Sequence, residues 1–148
     1  MKPNNTVTKI ALWVNRCVAA GVAVLLFLVP TLIRWYSGIR LLNLTEQRTI
    51  AVCFYGCVAP ILLALWLLDR LLASILEGGV FVRANVRRLR GIQWCCLAVS
   101  LLCVPAAVAY LPLIFVVLIM AFLCLVVCVL TRVMDAAVAI REENDLTI

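Results

Sequence analysis

Four long runs of apolar residues alternate with short polar segments along this chain. The runs cover residues about 10–33, 49–68, 92–111 and 113–132. A helix needs about 20 apolar residues to cross a hydrocarbon core of about 30 Å, and each run is near that length. The runs do not alternate polar and apolar positions, as the strands of a membrane barrel do. The pattern therefore predicts an all-α bundle of four transmembrane helices, forming a single domain over residues 1–148.

The segments between the runs predict how the helices are connected. The stretch Tyr110-Leu111-Pro112 predicts a very short turn, because proline suits the first position of a helix. We therefore expect the third and fourth spans to form an antiparallel hairpin. The second helix can continue past the membrane to Glu77, where Gly78 and Gly79 end it.

Composition supports membrane insertion and narrows the possible chemistry. Hydrophobic residues make up 67% of the chain and charged residues 14%, against roughly 25% charged in an average soluble domain. So few charges cannot cover the surface of a soluble protein of this size. Histidine is absent, which removes imidazole metal ligands and every nucleophile that depends on a histidine base. We therefore expect a protein that is not an enzyme and has no cofactor.

Lysine and arginine are distributed unevenly between the two ends of the predicted helices. Ten of them lie before the first span, between the second and third, or after the fourth, and three lie on the opposite side. The ten are Lys2, Lys9, Arg16, Arg70, Arg83, Arg87, Arg88, Arg90, Arg132 and Arg141, and the three are Arg34, Arg40 and Arg48. The positive-inside rule predicts a multi-pass protein of the cell membrane with both termini in the cytoplasm. The net charge of +6 then reflects topology, and no direct binding of nucleic acid is expected.

The tryptophans give independent support for these spans. Trp13 and Trp35 bracket the first span, Trp66 closes the second, and Trp94 opens the third. Tryptophan is enriched where the hydrocarbon core meets the headgroups, so the four residues mark the predicted membrane boundaries.

Eight cysteines lie inside the predicted spans, and none lies in the outer segment 34–48. Cys53 and Cys57, and likewise Cys124 and Cys128, have i,i+4 spacing and share a helix face. The two pairs could assemble a thiolate site for a soft metal. The simpler interpretation, which we favour, treats cysteine as a small apolar residue in packed helices, with no bound metal.

A basic segment and an acidic segment are expected on the same face of the membrane. Residues 80–91 predict a basic amphipathic loop helix at the membrane surface, and residues 141–148 form an acidic tail. The predicted hairpin brings the two segments close together. The candidate interaction joins at least one of Arg83, Arg87, Arg88 and Arg90 to at least one of Glu142, Glu143 and Asp145. Leu146 and Ile148 are expected to pack on the apolar side of the loop.

These two segments also carry a resemblance to a known family. Gly-Gly-Val-Phe and Asn-Val-Arg-Arg-Leu-Arg-Gly-Ile occur within residues 78–92, and the chain ends in Glu-Asn-Asp-Leu-Thr-Ile. Together they resemble an uncharacterised bacterial family of small four-helix membrane proteins, catalogued as a domain of unknown function. Its members are often encoded beside a small Cro-type helix-turn-helix regulator, so the resemblance implies a regulatory partnership. It implies no catalytic residues.

The sequence thus favours a non-enzymatic membrane protein that acts in regulation or sensing through its cytoplasmic loop and tail. Its expected partners are the lipid bilayer, anionic headgroups and, from the resemblance, a helix-turn-helix regulator. The alternative is a small oligomeric transporter or channel. Against it, no span carries a charge near its middle, and intramembrane charge is the usual mark of a transport path.

Overall fold

The computed structural model describes residues 5–39, 44–109 and 111–146, and these residues form four α-helices. The helices are α1 (Asn5–Ile39), α2 (Leu44–Leu76), α3 (Arg83–Ala109) and α4 (Leu113–Leu146). Each is long and apolar enough to cross a membrane. The expected all-α fold is therefore confirmed, with four helices that can span a membrane, and every helix is longer than the apolar run from which it was predicted. The predicted third span ended at Leu111, but Leu111 lies in the turn after α3.

A glycine ends α2 through a well-defined set of hydrogen bonds. The Gly79 amide donates to the Ser74 carbonyl at 3.0 Å, and the Gly78 amide donates to the Ile75 carbonyl at 3.1 Å. This is the Schellman arrangement, which requires a left-handed residue after the helix. Gly78 supplies it with a φ of +84°. The chain then crosses to α3 within residues 77–82.

Each helix packs antiparallel to the next one in the sequence. The Asn15 side chain of α1 reaches the Leu65 carbonyl of α2, and Cys57 of α2 meets Cys103 of α3. The Ser100 hydroxyl of α3 donates to the Val117 carbonyl of α4. The start of α1, the connection 77–82 and the end of α4 therefore lie together, at what we call the loop end.

The expected bundle is open. Within the described ranges, helices contact only their neighbours in the sequence, so α1 does not pack on α4. Apolar length predicts how many helices can span a membrane, but not which of their faces pair, so the sequence alone does not decide between an open and a closed arrangement. Lipid tails are as apolar as leucine, so no hydrophobic effect between helices forces the array to close.

Few side chains are buried, and most of them lie on α3 or face it. Val86, Val99 and Ala106 of α3 are buried, as are Cys57 of α2 and Val138 of α4. All four tryptophans are more than half exposed on the outside of the array. Large apolar side chains thus point outward, the opposite of the arrangement in a soluble protein, as expected for helices surrounded by lipid.

The predicted amphipathic loop helix is part of α3. The α-helix begins at Arg83 and continues without interruption through Gly91 into the apolar region. Residues 83–91 are helical, as expected, but they do not form a separate helix along the membrane surface. The reason is local: no proline lies between Arg83 and Gly91, and Gly91 is accommodated inside the helix by its packing on α2.

Candidate functional site

One ion pair joins the beginning of α3 to the end of α4 at the loop end. The Arg83 Nε atom donates to both carboxylate oxygens of Glu142, at 2.8 and 3.1 Å, and its Nη2 atom donates to Oε2 at 2.6 Å. Arginine and carboxylate have matching planar geometry, which favours such a two-pronged contact. Both side chains remain accessible, with 66% of Arg83 and 48% of Glu142 exposed. We call this pair the loop–tail contact.

The other predicted members of this contact have different positions. Arg88 donates to the Arg70 carbonyl at 3.1 Å and to Asn85 Oδ1 at 2.8 Å, so it faces α2 and its own helix. Arg90 lies beside a cavity between α3 and α4. Arg87 is exposed on α3, and Glu143 is exposed on α4.

The remaining tail residues lie outside what is described. The structure gives the backbone of Asp145 and Leu146 as the last residues of α4, but not their side chains, and Ile148 lies beyond the described residues. The acidic segment is thus helical as far as Leu146. Its residues continue α4 instead of leaving the helix as a separate peptide.

Asn85 organises the connection between α2 and α3, and the sequence analysis did not single it out. It is fully buried. Its Nδ2 atom donates to the Gly79 carbonyl at 2.6 Å and to the Val80 carbonyl at 3.3 Å, while its Oδ1 accepts from Arg88. A buried amide with several partners strongly constrains its surroundings. In the sequence, the only sign of this role is an uncharged polar residue among the arginines of residues 83–90.

A shallow groove lies next to the loop–tail contact. It has a volume of about 350 Å³ and is lined by Phe81 from the connection and by Ala137, Ile140, Arg141 and Asn144 from α4. Phe81 is the aromatic residue of the Gly-x-Phe element, and it is 44% exposed. The groove therefore combines an apolar floor with a charged and an amide side chain at its rim.

A second ion pair holds α1 on α2. Arg16 Nε lies 3.1 Å from Asp69 Oδ1, and the adjacent Asn15 donates from Nδ2 to the Leu65 carbonyl at 3.1 Å. Asn15 is buried, and within the described residues its Oδ1 has no hydrogen-bond partner. These interactions fix the pairing of two otherwise apolar helices at the loop end.

The cysteines meet across helices in a way that their spacing did not predict. The Sγ atoms of Cys57 and Cys103 lie 3.6 Å apart, between α2 and α3, with both thiols free. Cys124 donates its S–H to the Gln93 carbonyl at 3.6 Å. In the part of the chain that the structure describes, no three side chains of cysteine, aspartate or glutamate are grouped as metal ligands.

Comparison with known proteins places the chain in a family. A family model whose description reads "Protein of unknown function (DUF2975)" matches residues 17–148. The chain belongs to the DUF2975 family. The match includes the connection 77–82 and the end of α4, the two regions that carry the resemblance noted from sequence. No curated protein and no solved structure matches the chain significantly. DUF2975 membership and four spanning helices together describe a multi-pass integral membrane protein.

Proposed function

We propose that this DUF2975 protein is a non-enzymatic regulatory or sensory protein of the bacterial cell membrane that acts through its loop end. The observation that carries the proposal is the loop–tail contact between Arg83 and Glu142. It joins the two most polar segments of the chain at one end of an otherwise apolar array. Insertion of four apolar helices into a bilayer does not by itself require an ion pair between these two segments.

The exposure of the loop–tail contact suits it to recognition. Exposed ion pairs gain little net free energy from their attraction because water solvates both charges. A partner with a charged surface can therefore replace either side chain at small cost. The groove beside Phe81 offers such a partner an apolar surface immediately next to the charges. Binding there would change how the end of α4 is held against α3.

The proposal places the loop end in the cytoplasm. Of the 13 lysines and arginines in the chain, ten were assigned above to the inner face. Nine of these ten belong to described segments that meet at this end, and Lys2 lies outside the described residues. The short outer segments carry the other three. Such a bias predicts orientation because basic residues near spanning helices are retained on the cytoplasmic side.

Cysteine labelling tests this orientation. In a background without native cysteines, Ala84→Cys is expected to resist an impermeant maleimide in intact cells, whereas Ser37→Cys reacts. After lysis both positions are expected to react, which controls for folding and access. Labelling of Ala84→Cys and protection of Ser37→Cys in intact cells would place the loop end outside and contradict the proposal.

The proposed partner is a soluble cytoplasmic protein, and a helix-turn-helix regulator is the candidate implied by the resemblance. An affinity pulldown from native membranes would compare the wild type with a chain truncated after Ile140, which removes Glu142. We expect one specific soluble protein with the wild type and its loss on truncation. The variants Arg83→Glu and Glu142→Arg should each weaken its capture, and the double reversal should not restore it, because the charges of the partner would then meet like charges at both positions. Arg87→Glu is the matched control, because Arg87 lies one turn from Arg83 on the same face of α3 but takes no part in the loop–tail contact.

The same experiment separates regulation from transport. Capture that is unchanged by truncation and by both single reversals would contradict a role for the loop–tail contact. Absence of any specific partner, together with ion flux through liposomes that contain the protein, would favour the transporter or channel instead. The hydroxyls of Ser100 and Thr131, which lie inside α3 and α4, both donate to backbone carbonyls, so neither has a proton left to donate to a transported species.

A further inference from the structure

A cavity lies between α3 and α4 at the loop end, separate from the loop–tail contact. It has a volume of about 380 Å³ and is partly open to the outside of the array. Its polar lining comes from both helices: Arg90 and Gln93 from α3, and Thr131, Arg132 and Asp135 from α4, with Trp94 at its edge. Neither Arg83 nor Glu142 lines it.

The charges in this cavity favour an anion. Two arginines and one aspartate line it, and among the described residues neither Arg90 nor Arg132 forms an ion pair. The Thr131 hydroxyl already donates to the Val127 carbonyl at 2.7 Å, so the arginines are the main donors. Arginine binds phosphate oxygens through parallel N–H groups, which makes a phosphate the best match for this pair.

The depth of the cavity points to a lipid as the source of that phosphate. From Leu113 at the start of α4, Arg132 lies about 28 Å along the helix, close to the thickness of the hydrocarbon core of about 30 Å. Trp94 is 65% exposed on the outside of the array, as expected of a tryptophan at the headgroup level. Basic pockets between spanning helices at this depth suit anionic headgroups.

We infer that the cavity between α3 and α4 binds the phosphate group of an anionic phospholipid, held by Arg90 and Arg132. The acyl chains would lie along the apolar outer surface of the two helices, and Trp94 would flank the headgroup. Asp135 lies in the same cavity and opposes the anion, so it limits the affinity. This inference requires membrane insertion, but it does not depend on the proposed regulatory role.

Binding of phosphatidylglycerol to the full chain in detergent, measured by native mass spectrometry against phosphatidylcholine, tests the site. We expect Arg90→Gln with Arg132→Gln to weaken phosphatidylglycerol binding by at least about tenfold, since two charge-assisted contacts are lost. Arg87→Gln with Arg141→Gln removes the same two charges from exposed positions outside the cavity and should change binding by less than about twofold. Asp135→Asn should strengthen binding, a gain that a damaged fold would not produce.

A second set of measurements distinguishes the lipid from a free anion. Inorganic phosphate added at millimolar concentration should not displace phosphatidylglycerol if the acyl chains contribute to binding. Displacement by phosphate, with equal affinity for both lipids, would overturn the assignment to a lipid and leave a site for free phosphate. Equal loss of binding in the variant Arg87→Gln with Arg141→Gln and in the variant Arg90→Gln with Arg132→Gln would overturn the site itself, because only the overall charge would then matter.

Discussion

Asn85→Asp is expected to destabilise the protein by about 1–3 kcal/mol for each backbone carbonyl left without its donor. The substitution keeps the size of the side chain but replaces the Nδ2 donor with an oxygen. That oxygen would face the Gly79 carbonyl, which Nδ2 now contacts at 2.6 Å. The contact with Arg88 would persist, since a carboxylate still accepts from a guanidinium. The free energy of unfolding, measured in detergent by denaturant titration, checks the prediction.

The exposed Asn144 on α4 provides a matched control for this change. Asn144→Asp introduces the same chemical group where water can solvate it, so its unfolding free energy should stay within about 0.5 kcal/mol of the wild type. Similar losses for the two variants would mean that added negative charge, and not the buried hydrogen bonds of Asn85, determines the effect.

Gly91→Val is expected to lower the unfolding free energy by about 1 kcal/mol, at the low end for overpacking, because the Leu67 methyl that it meets can move aside. A Cβ atom at position 91 would lie only 2.7 Å from Leu67 Cδ1, so Leu67 would have to move. Valine and glycine are both poor helix formers, so helix propensity does not explain a loss. The change should also disturb the hydrogen bond from Arg88 to the Arg70 carbonyl, which lies one turn nearer the loop end.

Rescue and control variants make this prediction specific. In the double variant Gly91→Val with Leu67→Ala, the loss should be smaller than the sum of the two single losses, because the added volume fills the space that leucine leaves. Gly21→Val should have little effect, since a Cβ at Gly21 meets nothing within 4 Å. Additive losses in the double variant would show that contact with Leu67 of α2 does not restrict the size of the side chain at position 91.

Several features of this molecule could be predicted before its structure. The number of spanning helices follows from the length of the apolar runs, because a hydrocarbon core rejects unpaired backbone groups along its whole thickness. The end of α2 follows from Gly78, which alone accepts the left-handed backbone there. Family membership was also predictable, since the two polar segments at the loop end carry the resemblance.

The proximity of loop and tail was an inference from connectivity. A three-residue link between spans three and four makes them antiparallel, so the start of one and the end of the other are neighbours. Sequence reasoning named four arginines and three acids without choosing among them. The structure pairs Arg83 with Glu142 because these two project toward each other, while Arg88 turns toward Asn85 and the Arg70 carbonyl.

The sequence by itself determined how many helices are long and apolar enough to span a membrane, where α2 ends and which segments meet at the loop end. These properties depend on local composition and on the order of elements along the chain. Only the tertiary structure decided that the array stays open, that Cys57 faces Cys103, that Asn85 is buried, and that Arg90 shares a cavity with Arg132. Each of these depends on how a helix is rotated about its own axis. In helices that are apolar on nearly every side, the sequence pattern does not specify that rotation, and it is set by side-chain packing between neighbours.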